Sequence, residues 1–259
     1  MRLEVLVSTM HQKDYSLLEK MNIQTDAIIV NQCDENSIYE FDYRGRKIKW
    51  MNLNERGVGL SRNTALMRST ADICLFADDD VVYCDGYEEI VLSAFNNKPK
   101  ADLIVFNLKS QNPNREEILT QKTYKLHWHN CLKFGAFRIA VRRKEIIKSN
   151  VVYSLLFGGG AIYQAGEDNL FITQCLQRGK KGYASELHIG TVKQEESTWF
   201  KGYNEKYYHD RGALFRAMYG KKAKLVLFLF ELKKGIKGFG KRFKHASKGI
   251  KDYKSREIE

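Results

Sequence analysis

The chain has 259 residues, 43% hydrophobic and 12% aromatic, with only two prolines; this supports a sizeable core and excludes disorder, collagen-like repeats and a disulfide scaffold. Lys plus Arg exceed Asp plus Glu by 43 to 31, a formal +12 that brings nucleic acid, anionic membrane and anionic small molecules into view as partners. The five cysteines are odd in number and lack CxxC or Cys/His spacing, so neither a zinc site nor a disulfide framework is expected.

The opening MRLEVLVST reads as a strand, Leu3 to Ser8, rather than the charged and then apolar succession of a signal peptide. A short helix over Tyr15 to Met21 and strands over Asp26 to Asn31 and Lys47 to Asn52 follow. Next come a helix over Leu60 to Ser69, a strand over Asp72 to Ala77, a helix over Gly86 to Asn96 and a strand over Asp102 to Leu108. Runs such as AIIV and ICLF suit strands covered on both faces, and their alternation with helices predicts a doubly wound, mostly parallel α/β sheet flanked by helices. Ligands of such sheets gather beyond the carboxyl ends of the strands, here Ser8–Thr9, Asn31 to Asp34 and Ala77 to Asp80.

The helix expected after Gly59 belongs to ERGVGLSRNTAL, where Ser61 is a candidate cap and Arg62 lies in the first turn, its fork within reach of an anion. Three carboxylates, Asp78, Asp79 and Asp80, end the next strand. Like charges crowded there favour a cation, and oxygen-only ligands select Mg2+ or Mn2+; the alternative is an acidic turn without an ion. Strand alternation puts Asp78 and Asp80 on one face and Asp79 on the other.

Asn107 to Thr123 reads as a loop, Ala136 to Val141 as a strand and Arg143 to Ser149 as a short helix. Gly158-Gly159-Gly160 precedes Gly166-Glu167-Asp168-Asn169, which opens a helix over Asp168 to Arg178. Acidic residues there either serve the helix N-terminus or make Asp168 a general base. Beyond Gly220, eleven Lys and two Arg stand against four acidic residues, which leaves +9 of the +12. The run LVLFLF followed by a lysine-rich stretch containing Ile236, Phe239, Phe243 and Ile250 is read either as an interfacial membrane segment or as a terminal helix docked on the body. Residues 1–219 and 220–259 are accordingly taken as a main domain and a basic C-terminal helical extension.

In order and spacing, VSTM, NERGVGLSRNTAL, ADDD and GEDNLF resemble the inverting glycosyltransferases of family 2, which have the GT-A fold; STWFKGYNEKYYHDRGALF resembles members acting in bacterial surface polysaccharide synthesis. The resemblance implies transfer of a sugar from a nucleotide-sugar donor, a UDP-sugar above all, to a glycan or lipid-linked oligosaccharide. It implies Thr9 and Asp34 beside the nucleoside, Arg62 near the base or diphosphate, Asp78 near the ribose, Asp80 on an Mn2+ or Mg2+ ion, and Asp168 as the base. His188 and His209 compete as a further metal ligand, and Trp199 is an acceptor-site candidate. His127-Trp128-His129 has both an acceptor-loop and a packing reading.

A sugar-nucleotide pyrophosphorylase shares the layout but needs a glycine-rich basic loop where VSTMHQKDYS stands. A non-enzymatic membrane-surface or nucleic-acid-binding protein would use the basic tail and leave the acidic motifs without a purpose; nucleic acid is not an expected partner. No apolar run reaches the ~18 residues of a spanning helix, so the expected location is the cytoplasm or the cytosolic face of the plasma membrane.

Overall fold

The structure, a computed structural model, describes residues 1–114, 119–194, 202–233, 235 and 237–253. The first half of the chain runs β1 (Leu3–Met10), α1 (Leu17–Lys20), β2 (Asp26–Gln32), β3 (Ser37–Tyr43), β4 (Arg46–Leu53), α2 (Val58–Arg68), β5 (Ile73–Asp78), β6 (Val81–Tyr83) and α3 (Tyr87–Asn97). It continues through β7 (Leu103–Ser110), β8 (Tyr124–Lys125), β9 (Ile139–Arg142), α4 (Arg143–Ser149), α5 (Glu167–Gln177) and β10 (Gly182–Val192). It ends in α6 (Glu205–Tyr219), α7 (Ala223–Lys233) and α8 (Phe239–Asp252).

The strands form one mixed sheet in the order β3-β4-β2-β1-β5-β9-β7-β10-β6, with β8 paired to β10. Its β4-β2-β1-β5 portion is parallel. These strands are buried on both faces, which is why β1 and β5 read as continuous apolar runs. Leu3, Val5 and Val7 point to one layer with Leu17, Leu18, Tyr87, Val91 and Phe95 of α1 and α3. Leu6, Ile28 and Phe76 point to the other, with Ala65, Leu66, Ile146, Phe171 and Ile172 of α2, α4 and α5. The chain leaves β1 for β2 on one side and reaches β5 on the other, so the crevice at its carboxyl end is the topological switch point of the sheet.

Several local readings are corrected. β3 and β4 form an edge hairpin through Arg44 and Gly45, both at positive φ, where no strand was expected between Asn31 and Lys47. β10 was likewise unexpected. Gly57, not Ser61, is the N-cap of α2; Ser61 lies inside the helix, buried, and donates to Ser8 Oγ at 2.9 Å. A single 3-10 turn, Ala136–Arg138, precedes β9.

A third core lies between α5 and the last three helices, where Phe157, Leu170, Leu214, Phe215 and Leu227 are buried together. α6 ends at Tyr219, and the helices beyond it pack back on this core. α6 and α8 meet at backbone contact: a Cβ on Gly212 would lie 1.8 Å from the Ala246 carbonyl oxygen, and one on Gly249 would lie 1.8 Å from that of His209. Phe243 and Ile250 pack partly buried against this core instead of facing outward. Among the described residues, no helix is long and apolar enough to cross a membrane.

Candidate active site

β1 and β5 are in register with Ser8 opposite Asp78, so the end of β1 and the acidic triplet open into the same space. This space is a cavity of about 1000 Å³ walled by Thr9, Arg62, Asp78, Asp79, Asp80 and Glu167, with Gly159 and Gly160 on its rim. Strand geometry ends at Asp78; Asp79 and Asp80 form a turn, so all three carboxylates reach the cavity and the expected alternation does not hold. Thr9 Oγ1 donates to Asp79 at 2.6 Å, and the Gln194 backbone N–H donates to Asp80 Oδ2 at 3.2 Å. Burial, and then the neighbouring Asp78 charge, pushes the Asp80 carboxyl up to about 6; burial and Asp78 also raise Asp79.

Arg62 is the buried counter-charge of the site. Its two terminal nitrogens donate to Asp78 at 2.7 Å and to Glu167 at 2.8 Å, and its guanidinium carbon stands 5.3 Å from the Tyr153 ring centre. Tyr153 stacks in turn on Phe171 at 4.2 Å, so the cation rests on an apolar aromatic floor. Burial opposes its charge, yet Asp78 and Glu167 outweigh that cost and raise its pKa further. Both terminal arms are therefore committed to carboxylates of the protein, where the sequence led us to expect a free anion-binding fork.

The second acidic wall comes from the start of α5. Gly158, at φ +102°, packs against Glu167 so closely that a Cβ there would stand 2.8 Å from its carboxyl carbon; the triple glycine thus makes room for this side chain. Glu167 lines the cavity, whereas the adjoining Asp168 is half-buried and not among the lining residues. Asp168 accepts the Asn169 N–H at 2.7 Å. Its carboxyl is pushed up to about 7, by burial first and the Glu167 charge second, with Arg62 opposing.

A second cavity of about 720 Å³ shares Gln12 with the first and holds Asp34, with Tyr15, Tyr39 and Trp50 as apolar walls. Gln12 Nε2 donates to Thr9 Oγ1 at 2.9 Å, and its backbone N–H donates to Asn31 Oδ1 at 3.0 Å, which ties the loop after β1 to the end of β2. Asp34 is exposed and paired with Arg56 at 2.5 Å. Thr9 and Asp34 therefore border two joined cavities, and Arg56 and Lys193 place cations at the wall of the larger one. Gln12, Arg56, Lys193 and Gln194 escaped the sequence reading. Gln12 and Arg56 lay within stretches already singled out, while Lys193 and Gln194 follow a strand that was not recognised.

Neither histidine joins Asp80. His188 is exposed on β10, opposite Asn107 of β7, and does not line the cavity. Both ring nitrogens of His209 are engaged, Nδ1 at 3.3 Å from Asp210 and Nε2 at 3.2 Å from Asp252, where the residue links α6 to α8. The expectation that either histidine completes a metal site is corrected on these grounds. Trp199 lies outside the described residues. Trp128 is 55% exposed and its carbonyl accepts the Tyr219 hydroxyl, so the packing reading of that tract as core does not hold.

Among the described residues, no group of three or more His, Cys, Asp or Glu side chains is arranged to hold an ion alone. Asp78, Asp79 and Asp80 offer two or three carboxylate oxygens beside Lys193 and Arg56, the donor type that a hard divalent ion takes.

No known protein-family profile matches the chain, and no curated protein matches it in sequence. Solved structures do match in fold. The chain is similar to S. aureus TarS 1-349 in complex with UDP-GlcNAc at TM-score 0.66 and 15% identity, over 99% of this chain and 82% of that one. Against the same fragment in complex with UDP the TM-score is 0.59 at 15% identity, over 95% and 81% of the two chains. Against S. aureus TarS itself it is 0.61 at 14% identity, over 92% of this chain and 46% of that one. The chain has the GT-A-type α/β fold expected from its sequence motifs.

Proposed function

We propose that the chain is an inverting, metal-dependent glycosyltransferase of family 2 type that moves a sugar from a UDP-sugar to a glycan acceptor, a lipid-linked oligosaccharide of surface polysaccharide synthesis. The observation that carries this reading is the buried Arg62, which ties the Asp78–Asp80 turn to the Glu167–Asp168 helix start across one cavity. A fold shared with protein structures that hold UDP-GlcNAc and UDP supports the donor class.

In this reading the nucleoside enters the second cavity, against Tyr15, Tyr39 and Trp50, with Thr9 and Asp34 at its borders. Arg56 and Lys193 supply cations to the diphosphate. Asp80, with Asp78 or Asp79, would hold Mn2+ or Mg2+, which when bound adds positive charge beside the departing diphosphate. Asp168 takes the proton of the acceptor hydroxyl as that oxygen attacks the sugar from the face opposite the leaving group, which inverts the anomeric centre. A carboxyl held near neutrality is suited to this task, since it can both accept the proton and be free of it at neutral pH.

Glu167 is the second reading for the base because it, and not Asp168, lines the cavity. Its engagement by Arg62 counts against it, since the guanidinium already holds one of its two oxygens. Asp168→Asn and Glu167→Gln, each assayed for turnover and for nucleotide binding, separate the two. The base is the position whose amide removes transfer, by about 10²- to 10⁴-fold, while binding persists. Proton NMR of the sugar released by slow donor hydrolysis tests the stereochemistry. The anomer opposite to that of the donor is expected, and retention would remove the single-displacement mechanism.

A further inference from the structure

α7 is apolar on both of its long faces; one is buried, and the other, among the described residues, is covered only at Phe228, by Phe239 and Phe243 of α8. Ala223 and Leu227 are buried in the core shared with α6, where Phe230 packs on Phe215 at 5.3 Å, and Glu231 is buried against Arg242 of α8. Leu225, Phe228, Leu229 and Leu232 recur at the same helical spacing on the opposite face and are 62%, 39%, 50% and 43% exposed. A surface helix ordinarily turns polar residues outward, and a helix apolar all round is ordinarily buried on all sides. The start of α8 borders the stripe, with Phe239 and Phe243, both partly buried, stacked at 5.4 Å and edge-on to Phe228.

The surroundings of this stripe are basic. Lys221, Lys222, Lys224 and Lys233 flank it and are exposed, as are Lys237, Lys241 and Lys244 of the turn before α8 and its first turns. The acid in α7, Glu231, is fully buried and paired with Arg242 at 2.7 Å, so it does not offset this field at the surface.

We propose that the outer face of α7 is a docking surface for an anionic lipid bilayer, with Leu225, Phe228, Leu229 and Leu232 entering the headgroup boundary and the flanking lysines meeting lipid phosphates. The helix lies in the plane of the interface. The apolar stripe carries the choice of bilayer over nucleic acid, since a phosphate backbone offers four large apolar side chains nothing to bury against. The charge carries the choice of bilayer over a second copy: two such faces brought together would oppose their lysine clusters. Of the interfacial segment that the sequence pattern suggested, the insertion face is thus the LVLFLF run on α7, while Phe243 and Ile250 pack on the core. This inference is independent of the donor-site reading.

The test is co-sedimentation of the full chain with phosphatidylcholine vesicles with and without phosphatidylglycerol, comparing wild type with Leu225→Gln/Leu229→Gln and with Lys221→Gln/Lys222→Gln/Lys224→Gln. Thermal melting and sedimentation velocity of each variant accompany it. Wild type is expected to bind only the vesicles containing phosphatidylglycerol. The leucine variant should lose about tenfold or more in partitioning with its melting unchanged. The lysine variant should weaken binding and reduce its salt dependence. Three results would overturn the proposal: no binding by folded wild type, binding unchanged in the leucine variant, or a lipid-independent dimer that the leucine variant dissociates.

Discussion

Arg62 is the residue on which the site turns. Its side chain is 4% exposed, against 33% for Asp78 and 12% for Glu167, so the cation is the most deeply placed member of the cluster. Removing it strands two carboxylates at the cavity wall, and breaking such a pair typically costs about 3–5 kcal/mol. Arg62→Met should therefore lower the melting temperature markedly at neutral pH, and acidification, which protonates the stranded carboxylates, should restore part of the loss. A loss of the same size at every pH would show that packing, not charge, is what Arg62 supplies. Asp168 makes the second prediction at this scale. Its folded pKa lies above its unfolded value, so the folded state keeps a proton that the unfolded chain has released. Its contribution to stability is present below the unfolded pKa and is lost as pH rises through about 7. For a general base the same titration acts oppositely on rate: kcat/KM should rise with pH toward and through about 7. Chemical denaturation across this range should accordingly show wild type losing stability with rising pH and Asp168→Asn losing less. An identical slope in both would contradict the raised pKa.

At the scale of elements, the contact of α6 with α8 has no slack. An Ala at Gly212 or Gly249 must push apart two helix backbones, and overpacking of this kind costs about 1–3 kcal/mol or more. Each substitution should lower the melting temperature by several degrees, while Gly240→Ala, on the same helix with open space around its Cα, should leave it unchanged or raised. Equal effects at the three positions would refute the close crossing. The same scale explains what the sequence made legible. β1, β2 and β5 announce themselves because strands buried on both faces need unbroken apolar runs. β10 does not, because Glu186, Leu187 and His188 are exposed in its middle and its pairing with β7 shifts register on both sides of His188. β3 sits at an edge with Ile38, Tyr39 and Glu40 exposed, so burial imposes little pattern on it. The antiparallel β9, inserted between β5 and β7, follows from tertiary pairing that no local pattern encodes.

For the whole molecule, the sheet brings residues 9, 62, 78–80 and 167 to one cavity although they span more than half the chain. The motifs carrying these residues were readable because each sits at a strand end or helix start. Their partnerships were not: that Arg62 answers Asp78 and Glu167, that Asp79 bonds Thr9, and that His209 belongs to a helix contact depend on where distant elements pack. Charge is arranged at this scale too, with carboxylates gathered in the cavity and lysines on α7 and α8. The central claim, that this cavity is a metal-assisted nucleotide-sugar site, is tested most directly by calorimetric titration of UDP, and of GDP for comparison, into wild type and Asp80→Asn with and without Mn2+. The account predicts Mn2+-dependent binding of UDP to wild type that Asp80→Asn loses while remaining folded. Failure of folded wild type to bind UDP or GDP, or binding that is indifferent to both Mn2+ and Asp80, would contradict it.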